Sequence, residues 1–286
     1  MADSSILVVG TGYVGGRVLA TVPVGAASGL NRTERRAAQS IHRYDLDTGG
    51  PLPLKLPERY RVLYTVAPAA NSTDDLRLQR FLATLRPAPE CFVYISTTGV
   101  YGDRGGQLVH EHDELRPQTA RARRRQAAER ALQEWGRVTG VRICILRAPG
   151  IYGPGRLGIE RIRAGQPVLL EVDANPGNRI HVDDLVSCCV AALSNPDASG
   201  VCNVGDGDFR SSTAFAHAVA RQAGLPAPPA ISRKQAEQAF SAERRSFLAE
   251  SRRIDTQRMR EVLGVIPRYA NAEDGIRASL REEGLI

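Results

Sequence analysis

The glycine run Gly10-Thr-Gly-Tyr-Val-Gly15 constrains this chain more than any other feature. It follows the apolar stretch 5–9, which reads as a strand, and leads into a helical stretch through Arg17, Val18 and Leu19. Strand, glycine turn and helix, in that order, are the context a G-x-G-x-x-G motif needs. Gly10 permits the tight turn, Gly12 lets the backbone approach a pyrophosphate, and Gly15 lets the helix pack closely on the strand. The first amides of the helix then face the phosphate charge, so no basic side chain is required there. Thr11, Tyr13 and Val14 share the turn and are further candidate cofactor contacts.

The following residues repeat the alternation of strand and helix. Segment 25–30 offers a second strand, weak because Gly and Ala form strands poorly, and it ends at Asn31-Arg32-Thr33. Clearer strands follow at 61–66, 91–96 and 141–146, with helices at 74–85 and 119–135. In the latter helix Ala127, Ala131 and Trp135 recur every four residues beside Ala128 and Leu132, so Trp135 reads as core. This order predicts an α/β fold: a doubly wound parallel sheet of the Rossmann kind, with helices on both faces.

Past Gly150 the elements shorten, leaving an apolar helix at 182–193, a strand at 200–204, a Pro-rich break at 225–229 and a charged, mainly helical tail. The expected organisation is a dinucleotide-binding domain at 1–155, to which 179–206 returns, and a smaller, mostly helical C-terminal substrate-binding lobe at 156–286.

NAD sites place a carboxylate at the end of the second strand for the ribose 2′-hydroxyl, whereas NADP sites tend to place Arg there. Here that position reads Asn31-Arg32, with a guanidinium to pair a 2′-phosphate, which favours NADP over NAD. Asp45 follows a further short extended stretch and is a candidate contact to the adenine amino group. Ala67 and Ser96, at the carboxyl ends of later strands, are further candidate cofactor contacts.

The net charge of +7 raises the question of nucleic acid. The basic residues are nearly all Arg and are spread along the chain, with no aromatic-rich platform or zinc finger, so an Arg-rich proteome or a site for an anionic small molecule explains the charge equally well, and nucleic acid is not expected. The cysteines Cys91, Cys144, Cys188, Cys189 and Cys202 sit in apolar stretches without metal-ligand spacing and read as buried, reduced thiols. No metal site is expected. The chain opens Met1-Ala-Asp-Ser-Ser without a secretory pattern and has no membrane-length apolar run, so a cytoplasmic protein is expected, with no membrane partner.

Several stretches together resemble the extended and atypical short-chain dehydrogenase/reductases, the NAD-dependent epimerase/dehydratase-like superfamily. Beside the glycine motif they are Ile95-Ser-Thr-Thr-Gly-Val-Tyr101-Gly, Leu146-Arg-Ala-Pro-Gly-Ile-Tyr152-Gly-Pro-Gly-Arg156, Arg179-Ile-His-Val-Asp-Asp184-Leu and Cys202-Asn-Val-Gly-Asp206. The tail from Arg253-Ile-Asp to Leu263-Gly, then Pro267-Arg-Tyr269, completes the pattern. The resemblance implies that Thr97 holds the substrate carbonyl. It also implies a YxxxK pair in the helix after Pro117, and counting back from Glu129 puts Arg121 in the tyrosine position and Arg125 in the lysine position.

In that family the tyrosine hydroxyl passes the proton during hydride transfer, and the lysine lowers its pKa and holds the ribose; arginine neither gives nor takes a proton near neutral pH. Arg125 keeps the charge and hydrogen bonds for the ribose. Tyr101 and Tyr152 are the candidate replacement proton donors, each weighed against simple packing beside the cofactor. His110 and His112 read as solvated loop residues. Arg121, Arg156 and Arg179 are candidate substrate contacts for a carboxylate or phosphate. Asp183 and Asp184 read as caps of the helix they begin.

The expected function is an NADP-linked oxidoreductase or epimerase-like enzyme acting on a small carbonyl or hydroxyl compound of anionic character. The alternatives are a catalytically silent NAD(P)-binding sensor and a nucleotide-sugar epimerase or dehydratase. By analogy with the resembled family, a homodimer is a candidate assembly.

Overall fold

The computed structural model describes residues 5–33, 37–70 and 72–286, apart from the side chain of Phe247. The opening Met1 to Ser4, read above as the start without a secretory pattern, lies outside the described residues. The first half of the chain runs β1 (Ser5–Val9), α1 (Tyr13–Thr21), β2 (Ala27–Asn31), β3 (Ser40–Arg43), β4 (Tyr60–Tyr64), α2 (Leu76–Thr84), β5 (Cys91–Thr97), β6 (Leu108–Val109) and α3 (Ala120–Thr139). Then come β7 (Arg142–Ala148), β8 (Gly150–Tyr152), α4 (Ile159–Arg163), β9 (Val168–Leu169), β10 (Arg179–His181), α5 (Val182–Ser194) and β11 (Gly200–Asn203). The chain closes with α6 (Ser212–Gln222), β12 (Ala230–Ile231), α7 (Arg233–Ala239), α8 (Ala242–Ala249), β13 (Arg253–Ile254), α9 (Gln257–Leu263) and α10 (Ala272–Glu282).

Seven strands form one parallel sheet in the order β3-β2-β1-β4-β5-β7-β11. The order reverses direction between β1 and β4, which opens a crevice at the carboxyl ends of those strands, where such sheets take their ligands. The fold is therefore the doubly wound α/β sheet that the alternation predicts. Its weak second strand is weak for a reason: a Cβ on Gly29 would lie 2.6 Å from Thr11 Cγ2, so β2 is small where the glycine turn packs down on it. The short extended stretch before Asp45 is the edge strand β3. Helix α3 runs one turn beyond Trp135 and ends at Gly140, whose φ of 74° is a left-handed cap that non-glycine residues resist.

Each face of the sheet carries its own core. On one, Val8, Leu63, Val93 and Leu146 meet Val18 of α1 and Leu185 and Cys189 of α5. On the other, Tyr60, Tyr64, Phe92 and Tyr94 meet Phe81 of α2 and Leu132 of α3, with half-buried Trp135 edge-on to Phe92 at 6.0 Å. All five cysteines are buried and unpaired. A third core joins Tyr152 and Leu157 to α6 and α10 through Phe215, Val219, Ile276 and Leu280. Late segments return to the sheet: β11 pairs with β7, and α5 and the Met259 and Leu263 side chains of α9 bury against it. Among the described residues no helix is long and apolar enough to cross a membrane.

Asp184 does not cap α5, whose N-cap is His181, the side chain of which accepts from Asp183 N. Instead its two oxygens accept from the amides of Arg268 and Tyr269 at 2.8 and 3.1 Å, tethering the tail to α5.

Candidate active site

The glycine turn shows three different uses of a missing side chain. Gly10 has φ 89°, and a Cβ there would lie 2.6 Å from Thr65 Oγ1. A Cβ on Gly15 would lie 2.1 Å from the Gly10 carbonyl oxygen, so only glycine lets α1 sit this close to the turn. At Gly12 a Cβ would meet no protein atom within 4 Å. The room left by Gly12 therefore opens on a cavity. Gly12 is also the N-cap of α1, which has no side-chain cap and no acid in its first turn, leaving leading amides for an anion. Thr11 and Val14 are buried beneath. These features fit the pyrophosphate of a dinucleotide.

Two cavities open at the carboxyl edge of the sheet. One, of about 280 Å³, is lined by Gly10, Asn31, Arg32, Asp45, Asp47, Val66 and Arg77 among others. Asp47 accepts two 2.6 Å bonds from Arg77, which holds its carboxyl below the usual range. Asp45 accepts from Asp47 N at 2.9 Å, and the Asn31 amide folds back on Thr33 O at 2.8 Å. Arg32 is exposed at this cavity. Ala67 is not among its lining residues; its carbonyl accepts from Arg77 at 3.1 Å.

The other cavity, of about 320 Å³, draws together Gly12, Tyr13, Val14, Ser96, Thr97, Arg121, Arg125 and Arg156 from four separate motifs. Thr97 Oγ1 accepts from Gly99 N at 3.1 Å, which leaves its own hydrogen to donate into the cavity. Arg125 Nη1 donates to Tyr94 Oη at 2.8 Å, Ile95 O at 2.9 Å and Val66 O at 3.3 Å, and its guanidinium lies 5.3 Å from the Tyr94 ring centre. One nitrogen makes all three bonds, so the other terminal nitrogen keeps its hydrogens for a ligand. Tyr13 is committed, since its hydroxyl donates to Pro154 O at 2.9 Å. Ser96 is committed too, donating its hydroxyl to Glu129.

Tyr101 and Tyr152 do not reach these cavities, which corrects their reading as proton donors. The turn after β5 drives Tyr101 into the core, where its hydroxyl donates to Asn203 Oδ1 at 2.7 Å and accepts from Arg147 at 2.9 Å. Burial pushes it up to about 12. Tyr152 is packed edge-on against His181 and Phe215, and burial raises its pKa further still. His110 and His112 stack on each other at 5.6 Å outside both cavities.

Arg147 is a site residue that the sequence motifs do not mark. It and Glu129 form an ion pair at 2.7 Å, 4% and 2% exposed, joining β7 to α3 directly behind Ser96. The readable signal is Arg147 within the otherwise apolar run Cys144-Ile-Leu-Arg-Ala148, and Glu129 beside Ala128 and Leu132 on the apolar face of its helix.

A larger cavity, of about 910 Å³, is lined by residues of α4, α6, α7 and α8 and shares Arg156 with the smaller one. Arg156, Arg161, Arg179 and Arg244 line it with Phe215 and Phe240, and among the described residues Glu243 is its one lining carboxylate. Arg156 lies 3.9 Å over the Tyr13 ring. Arg179 lies 4.5 Å over Phe215 and donates to Arg210 O and Ser211 O at 2.7 and 3.1 Å. Arg244 lies 3.6 Å over Phe240 and donates to Pro167 O at 2.7 Å; burial pushes its pKa down to about 10. Guanidiniums held by carbonyls and rings keep their charge for an anion.

Beside Arg179, Asp206 is 5% exposed, with one oxygen accepting from Asp208 N at 2.9 Å and the other without a partner. Burial pushes its carboxyl from 3.8 to about 7. The folded value exceeds the unfolded one, so between those values the unfolded chain binds fewer protons and stability falls as pH rises. Asp206→Asn keeps the accepting oxygen and is expected to raise Tm above wild type at about pH 8, with the gain fading below about pH 4. Calorimetric Tm measured across pH checks this, and parallel curves for the two proteins would refute it.

Residues 68–205 match the NAD dependent epimerase/dehydratase family. The chain is 31% identical over 195 residues to the GDP-6-deoxy-D-mannose reductase of Pseudomonas aeruginosa, covering 58% of this chain and 64% of that one. It spans 51% and 64% of the lengths of two curated relatives it matches. A functionally unknown conserved protein from Silicibacter pomeroyi superposes with a TM-score of 0.82 at 28% identity, covering 98% and 99% of the two chains. The structure of RMD from Pseudomonas aeruginosa complexed with NADPH shares the fold, with a TM-score of 0.73 at 22% identity, covering 98% and 97%. With its seven-stranded parallel sheet and its glycine turn, the chain has the Rossmann-like α/β fold of these solved structures, and its residues 68–205 are similar to the NAD dependent epimerase/dehydratase family.

Proposed function

We propose that the chain is an NADP-linked oxidoreductase or epimerase-like enzyme acting on a small, anionic carbonyl or hydroxyl compound without the usual tyrosine and lysine. The observation that carries this reading is Arg156, which lines both the cavity at Gly12 and Thr97 and the arginine-lined cavity of the lobe. A ligand at the reacting end thus lies next to a site built for negative charge. When bound, the nicotinamide cofactor supplies or accepts hydride. Gly10, Gly12, Gly15 and the α1 amides hold the pyrophosphate, Arg32 pairs the 2′-phosphate, and Arg125 bonds the ribose. Thr97 donates its hydroxyl to the substrate oxygen, while Arg121, Arg156 and Arg179 hold the anionic portion. The cofactor domain spans 1–155 with 179–206, the rest forming the lobe, in a cytoplasmic and homodimeric protein.

Arg32→Ala tests the cofactor assignment. The wild type is expected to bind NADPH more tightly than NADH, and the variant to lose about tenfold in NADPH affinity with NADH affinity unchanged. Equal binding of the two cofactors by the wild type would remove the NADP assignment.

One observation favours the silent sensor as a second reading. Among the described residues lining the reacting cavity, the hydroxyls of Tyr13, Thr65 and Ser96 are committed to Pro154, Gly10 and Glu129, so Thr97 is the one hydroxyl free to donate. A panel of carbonyl compounds separates the readings. Oxidation of NADPH by an anionic member supports the enzyme, while tight cofactor binding without turnover across the panel supports the sensor.

A further inference from the structure

The cavity at Gly12 and Thr97 carries an unusual charge. Arg121, Arg125 and Arg156 line it, and among the described residues no Asp, Glu or His does. Arg125 is fixed by its bonds to Tyr94, Ile95 and Val66, and Arg156 by the Tyr13 ring. The N-terminus of α1, with no acid in its first turn, adds partial positive charge on the same side.

Oxidised and reduced nicotinamide dinucleotides carry the same phosphates and differ at the ring by one positive charge. In a comparison of the two forms, the attraction of the phosphates for the glycine turn and Arg32 cancels. What remains is the interaction of the ring with the charge around it. A cavity of about 320 Å³ keeps a bound ring within one screening length, about 8 Å at physiological ionic strength, of the guanidiniums that line it.

We propose that Arg121, Arg125 and Arg156 make this site selective for the reduced cofactor. The proposal rests on the reading of this cavity as the nicotinamide end of the cofactor site. Stabilising the reduced form raises the midpoint potential of the bound couple, by about 30 mV for each tenfold ratio of the dissociation constants. Held this way, the reduced cofactor is a weaker hydride donor. An anion in the same cavity offsets the guanidinium charge and restores its donor strength, which couples cofactor reactivity to occupancy by an anionic substrate.

The test is equilibrium titration of the full chain with NADPH and with NADP⁺ at low ionic strength. NADPH is expected to bind at least about tenfold more tightly than NADP⁺. That ratio is expected to fall severalfold in Arg121→Gln and in Arg156→Gln, both exposed positions, and to survive in Arg121→Lys, which keeps the charge. Equal constants in the wild type, or a ratio that both glutamine variants leave unchanged, overturn the proposal while leaving the cofactor site in place. Binding of neither form overturns the cofactor reading itself, and this proposal with it.

Discussion

Replacing Arg147 with methionine is expected to lower the stability of the fold by about 3–5 kcal/mol, because it strands the Glu129 carboxylate in the core. Glu129 is 2% exposed, and its other partner, the Ser96 hydroxyl, offers one neutral bond in place of a charge. Arg147 also holds the hydroxyl of Tyr101 and the carbonyl of Glu111, so the loop over β11 loosens with it. The double variant Arg147→Met, Glu129→Leu removes both charges and should regain most of the loss, since a buried ion pair adds little over apolar residues of similar size. Chemical denaturation of the two variants decides the matter. A single variant as stable as wild type would mean that the pair does not anchor β7 to α3.

The second large effect separates two glycines that a motif treats alike. Gly15→Ala pushes a methyl against the Gly10 carbonyl, so it is expected to lower both Tm and NADPH affinity. Gly12→Ala meets no protein atom, so Tm is expected to stay within the change of an ordinary surface substitution, about 0.5 kcal/mol. Cofactor affinity should nonetheless fall by between about tenfold and a hundredfold, from the 1–3 kcal/mol that an extra methyl costs in a packed contact. Thermal shift and calorimetric titration, run on the same preparations, read the two effects apart. A Gly12→Ala protein that binds NADPH as the wild type does would show that no ligand approaches this turn.

The contrast shows which parts of the molecule were legible. Periodicity and the glycine turn report local backbone demands, so the sheet strands and the helices that cover them could be read within a few residues of their ends. Strand β2 was faint because its small residues answer to Thr11, a partner in space that no window of sequence contains. Tyr101 and Tyr152 lie at strand ends, yet the direction of a side chain depends on the turn that follows the strand, and both turn into the core. Asp184 looked like a cap, but its acceptors serve the distant Arg268 and Tyr269 amides. The arginines of the larger cavity come from α4, β10, α8 and the loop after β8, so family resemblance pointed to Arg156 and Arg179 while Arg161 and Arg244 carried no signal.

The central claim is that the crevice at the glycine turn holds a nicotinamide dinucleotide, and calorimetric titration of the wild-type protein with NADPH, NADP⁺, NADH and NAD⁺ tests it most directly. The expected result is saturable binding of one dinucleotide per chain, strongest for NADPH. Heats no larger than dilution for all four would contradict it and leave the glycine turn a feature of the fold alone.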